Sequence, residues 1–144
     1  MKPDKFMHKP IGIYIVEDYP LLQRLLTQMV ERSPKLALCG VSSTAENALK
    51  QIPTLEVTLV LVDFSLPLMN GVELVRTLSQ LSPSLPCLML SGHIAPYYVR
   101  QALKAGAQGY LSKGDIQELD EAITQVLTGV VYLSQSVRDT FEAL

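Results

Sequence analysis

Five polar residues end apolar runs in this chain. Glu17 and Asp18 follow the run at 11–16, Asp63 follows 57–62, Ser91 closes 87–91 and Lys113 follows 108–112. If the chain brings these ends together, three carboxylates, one hydroxyl and one ammonium share a crevice. Carboxylates that close repel one another and raise each other's pKa unless a cation screens them. The donors are all oxygens, with no cluster of Cys or His nearby, so a hard cation suits them and Mg²⁺ fits best. The Lys113 ammonium can neutralise an incoming phosphoryl group, and the Ser91 hydroxyl can donate a hydrogen bond to it. A carboxylate that attacks phosphorus becomes an aspartyl phosphate, a form of covalent catalysis. Taken singly, each residue has an ordinary reading. Glu17 and Asp18 suit a helix N-terminus, Ser91 a turn and Lys113 a solvated surface, so the chemistry depends on all of them converging.

The elements that would position them follow from apolar periodicity. "IGIYIV" (11–16), "LALCGV" (36–41), "VTLVLV" (57–62), "CLMLS" (87–91) and "QGYLS" (108–112) are short, nearly continuous apolar runs, as in parallel strands covered on both faces. Between them, Leu21, Leu22, Leu25, Leu26, Met29 and Val30 form a helical stripe; Val72, Leu74, Val75, Leu78 and Leu81 form a second. Ile116, Leu119, Ile123, Val126 and Leu127 form a third. Pro20 suits a first helical turn, "STAE" (43–46) a capping box, and Asn70 with Glu73, or Asp115 with Glu118, a similar one. Gly106 and Gly129 stand where helices end. The pattern is βα five times over, hence an α/β domain with a parallel sheet and helices on both faces. In such sheets ligands bind at the carboxyl ends of the strands, where the five polar residues lie.

Composition narrows the class. The chain has 144 residues, 48% hydrophobic and 18% charged, with a net charge of -2, which fits one globular domain and gives no basic surface for nucleic acid. No apolar run approaches the roughly 18 residues of a membrane span, and "MKPDKFMHKP" lacks a signal peptide's apolar core. Cys39 and Cys87 are expected as buried free thiols, in keeping with a cytoplasmic location.

The stretches "IYIVEDYPL", "LVLVDFSLPLMNGVEL", "LMLSGH" and "AGAQGYLSKGD" together resemble the receiver domain of bacterial two-component response regulators, over residues 10–129. The ordered set of acidic pair, central Asp, Ser and Lys, with P-x-M-N-G after the Asp, carries the resemblance. It implies a flavodoxin-like (βα)₅ three-layer fold with a five-stranded sheet in the order 2-1-3-4-5. It implies that Asp63 is the phosphoacceptor, that Ser91 and Lys113 hold the phosphoryl oxygens, and that Ser91 and Tyr110 form the switch. Mg²⁺ would be held by Asp18, Asp63 and the backbone carbonyl of Ser65, with Glu17 acting mostly through water. Two departures are local. Leu66 replaces a frequent methionine, and Ser65 and His93 occupy positions that tune loss of the phosphoryl group in the family. With only His8 and His93 in the chain, the phosphoryl donor is expected to be a sensor histidine kinase, a histidine phosphotransfer protein or a small molecule. The moving face would include Tyr97, Tyr98, Val99 and Leu103, two of them buried.

The stretch "VVYLSQSVRDTFEAL" resembles the receiver end and linker of regulators with a C-terminal helix-turn-helix, the LuxR/NarL/FixJ type. The expected organisation is a tail at 1–9, a receiver at 10–129 and a partly helical extension at 130–144. DNA would be met only through a domain this chain lacks, and a homodimer on phosphorylation is allowed. The output is expected to be transcription; a single-domain receiver acting through protein contacts and a receiver that is never phosphorylated are the alternatives. An Asp-nucleophile phosphatase usually shows a second Asp two residues on, where this chain has Ser65. A P-loop enzyme needs GxxxxGK[ST] and a dinucleotide site GxGxxG, and neither is present.

Overall fold

A computed structural model describes residues 9–144. The expected tail at 1–9 lies outside the described residues, Lys9 excepted. Five strands and five helices alternate: β1 (Ile11–Val16), α1 (Pro20–Arg32), β2 (Leu36–Ser42), α2 (Ala45–Gln51), β3 (Leu59–Asp63), α3 (Gly71–Leu81), β4 (Cys87–Ser91), α4 (Pro96–Ala105), β5 (Gly109–Ser112) and α5 (Leu119–Leu127). The chain then adds β6 (Tyr132–Leu133) and α6 (Gln135–Glu142). The sheet is parallel with the order β2-β1-β3-β4-β5-β6. The expectation of five strands is corrected to six. The extension contributes a strand because Tyr132 and Leu133 pair with Gly109 and Tyr110, continuing the ladder past β5.

Strand residues divide by period two between two cores, as side chains on a pleated sheet must. Ile13, Ile15, Leu59, Leu61, Leu88, Leu90 and Leu111 meet Leu26 and Val30 of α1 and Ile123 and Val126 of α5. Tyr14, Val16, Val60, Val62, Met89 and Tyr110 face the other side, under α2, α3, α4 and α6. Both faces are covered, which is why the strands read as continuous apolar runs.

The helix boundaries follow the punctuation closely. Pro20 opens α1, Asn70 caps α3 by accepting from the Glu73 amide at 2.9 Å, and Gly106 ends α4 at φ 119°. Three expectations need correction. Thr44, not Ser43, caps α2, accepting from the Asn47 amide at 3.1 Å. Asp115 and Glu118 do not cap α5 but face the extension, because α5 is preceded by a 3-10 stretch that turns them towards it. Cys39 is half-buried while Cys87 is buried, because Cys39 is the extra residue where the β1–β2 register shifts, on an edge strand. Leu21 and Leu25 of the α1 stripe are exposed.

Candidate functional site

The carboxyl ends of β1, β3, β4 and β5 do converge. Glu17 follows β1 directly and is fully buried; its Oε2 accepts from the Tyr19 amide at 3.1 Å, which turns the chain into α1. Asp63 ends β3 at 2% exposure, while Asp18 lies on the exposed rim. One carboxylate oxygen from each of the three falls within 4.8 Å of the others. Lys113, just past β5, reaches in with Nζ 3.0 Å from Asp63 Oδ1 and 3.8 Å from Glu17 Oε1. Close packing at α3 shapes the pocket floor. A Cβ on Gly71 would stand 2.2 Å from the Asp63 carbonyl oxygen, so only glycine lets α3 begin there.

The electrostatics fit a divalent cation. Burial, more than any other influence, pushes the Glu17 carboxyl up to about 7; the Tyr19 amide opposes this, the Asp63 charge adds to it and the Lys113 charge opposes it. Glu17 Oε1 and Asp63 Oδ1 are buried without a hydrogen bond, and the Lys113 ammonium faces them as an ion pair, 3.0 Å from Asp63 and 3.8 Å from Glu17. Two buried carboxylate oxygens without hydrogen bonds, sharing one ammonium and lying beside a third carboxylate, are what a hard cation satisfies. Ser65 lies two residues past Asp63 with its side chain exposed, on a loop in which Leu68 is 86% exposed at φ 60°.

Ser91 ends β4 at 1% exposure, and its Oγ is engaged with the next loop: it accepts from the His93 amide at 2.8 Å and lies 3.3 Å from the His93 carbonyl. Tyr110 is fully buried and its hydroxyl donates to that carbonyl at 2.5 Å. Burial pushes the Tyr110 phenol up to about 12. His93 itself is exposed, its ring 4.8 Å from Tyr98 and 5.8 Å from Phe64. Val99 is buried, Leu103 and Tyr98 are partly buried and Tyr97 is exposed.

Sequence reasoning missed two groups that touch these loops. Glu46 of α2 accepts from the Met69 amide at 3.3 Å, tethering the loop that follows Asp63. In the sequence it stands only as part of a capping box. Thr140 of α6 contacts the carbonyl of Ile94 at 3.2 Å, a contact that no local pattern signals.

A doubly wound α/β sheet with an acidic, lysine-bearing pocket at its strand ends defines a class of signalling domains. Residues 13–124 match the response regulator receiver domain family, and the chain belongs to it. The chain is 36% identical over 126 residues to the transcriptional activator protein ExaE of Pseudomonas putida, covering 87% of this chain and 59% of that protein. It is 33% identical over 128 residues to the transcriptional regulatory protein DegU of Brevibacillus brevis, covering 88% and 54%. A LuxR-family two-component response regulator from Aurantimonas sp. SI85-9A1 superposes with a TM-score of 0.85 at 27% identity, over 94% of this chain and 97% of that one. The chain thus spans little more than half the length of the two curated relatives. Among the described residues, no helix is long and apolar enough to cross a membrane.

Proposed function

We propose that the chain is a phosphorylation-activated switch whose phosphoacceptor is Asp63. The observation that carries this reading is the buried Asp63 carboxylate, ion-paired with Lys113 and flanked by Glu17 and Asp18. Glu17, Asp18, Asp63 and the Ser65 carbonyl would hold Mg²⁺, which when bound supplies positive charge against the phosphoryl oxygens. A carboxylate oxygen of Asp63 bonds to phosphorus as the donor's P–N or P–O bond breaks. The leaving group departs with that electron pair and takes its proton from solvent. Lys113 exchanges its pairing with Asp63 for a phosphoryl oxygen, and Ser91 donates its hydroxyl to another. The donor is a sensor histidine kinase or a histidine phosphotransfer protein, and transcription is the output, through a DNA-binding domain outside this chain; ExaE and DegU are named as transcriptional proteins.

Intact-mass measurement with Mg²⁺ and acetyl phosphate tests the reading. The wild type should gain one phosphoryl group and Asp63→Asn none, with an unchanged fold by circular dichroism. Labelling that persists in Asp63→Asn would remove Asp63 from its role.

A further inference from the structure

We infer that the extension is part of the switch: the last turn of α6 reads the β4–α4 loop directly and is released when that loop changes partners. This rests on the phosphoacceptor reading of Asp63 and goes beyond it by naming the route of the signal within the chain. The route is a closed ring of bonds. The Ser134 amide donates to the Tyr110 carbonyl at 3.1 Å. The Tyr110 hydroxyl donates to the His93 carbonyl, and one residue on, the Ile94 carbonyl accepts from the Thr140 hydroxyl. Ser134 and Thr140 belong to the same short segment, so the ring runs from extension to switch tyrosine to loop and back. Ser91 Oγ joins the ring to the pocket through the His93 main chain.

The two ends of the segment are built differently. Its start is bolted down: Ser134 is fully buried with its Oγ accepting from the Ser112 amide at 2.9 Å, Asp115 accepts from both the amide and the hydroxyl of Ser136, and Val137 is fully buried. Its last turn is held more lightly, by Thr140 on Ile94, by Phe141 packed against the core and by the Arg100 guanidinium 5.4 Å from the Phe141 ring. The single Thr140 hydroxyl proton is shared with a nearer acceptor, the Val137 carbonyl at 2.7 Å, so Thr140 can leave Ile94, at 3.2 Å, and keep that bond. When the Ser91 hydroxyl turns to a ligand on Asp63, the His93 amide loses its acceptor and the loop resettles. The contact at Ile94 then breaks, and the last turn of α6 loosens while its start stays fixed.

The test uses the full chain with Mg²⁺ and beryllofluoride, a phosphoryl mimic whose bound form is followed by ¹⁹F NMR, and reads hydrogen exchange. Binding should speed exchange of the amides at 138–144 by about threefold or more, the size expected from losing one hydrogen bond. Thr140→Val should show that faster exchange without ligand, respond little to it, and bind beryllofluoride tighter by a similar factor, because coupling is reciprocal. Thr124→Val, which removes a comparable hydroxyl from the exposed side of α5, should behave as wild type. Beryllofluoride bound at Asp63 with exchange at 138–144 unchanged would overturn the inference. Absence of any bound signal would overturn the reading of Asp63, and this inference with it.

Discussion

Lys113 has two partners, and they separate two tasks. Its 3.0 Å approach to Asp63 Oδ1 neutralises the proposed acceptor, and its reach to Glu17 ties it to the side of the pocket that would hold the metal. Neither contact forms the bond to phosphorus, so Lys113→Ala should still be labelled at Asp63. It should fail to pass the change on, leaving the Tyr110 ring signals in NMR spectra the same with and without acetyl phosphate. A shift at Tyr110 equal to that of the wild type would exclude Lys113 from transmission. Leu68 makes a different point. It is the one described residue other than glycine with a positive φ, at 60°, and its side chain is exposed. A leucine there costs roughly 1–2 kcal/mol, of which glycine's larger unfolded-state freedom takes back a part. Leu68→Gly should therefore stabilise the fold by about 0.5–1 kcal/mol in urea titrations.

At the scale of elements, two carboxylates hold the β6–α6 segment, Glu118 on Tyr132 and Gln135 and Asp115 on Ser136, and Asp115 is the more telling of the two. Asp115 is 6% exposed, and burial alone would raise its pKa. Hydrogen bonds from Ser134 and Ser136, with the Arg138 charge, outweigh burial and hold the carboxyl below its ordinary value. A depressed folded pKa gives stability that is complete above the unfolded value, about 3.9, and lost as pH falls through the folded one. The extension should therefore stay docked throughout neutral and mildly acidic pH and come loose only in strong acid. Asp115→Ala should remove about 2–3 kcal/mol at neutral pH, since it strips charged acceptors from Ser136. Hydrogen exchange at 132–140 checks both, and a variant with unchanged protection there would show that Glu118 and apolar packing hold the segment without Asp115.

At the scale of the whole molecule, the pocket is a point of stored cost. Four strand ends deliver charged or polar groups to one edge of the sheet, and the buried Glu17 Oε1 and Asp63 Oδ1 there lack hydrogen bonds. A cation that binds only the folded state repays this by mass action. Mg²⁺ at a hundred times its dissociation constant should add about 2.7 kcal/mol to stability. That corresponds to a Tm rise of about 5–10 °C for a domain of this size. Chelation should reverse it, and Asp63→Asn should show little of it by calorimetry. An equal rise in Asp63→Asn would place the cation elsewhere.

The sequence by itself determined the alternation of strands and helices, because each element reports its burial locally: continuous apolar runs for strands covered on both faces, stripes for helices with one buried side. It also fixed which residues stand at the strand ends. Glu17, Asp18, Asp63, Ser91 and Lys113 could be named without coordinates because parallel connectivity puts all carboxyl ends on one edge. Only the tertiary structure decided what the last fifteen residues do. Two strand residues and eight helical ones are too short to announce themselves by period, and their place depends on partners far away in the chain. Asp115 and Glu118 looked like caps because a cap and a distant anchor use the same carboxylate. Which one it becomes depends on what lies within hydrogen-bonding reach, and here that is Ser136 and Tyr132 from the extension.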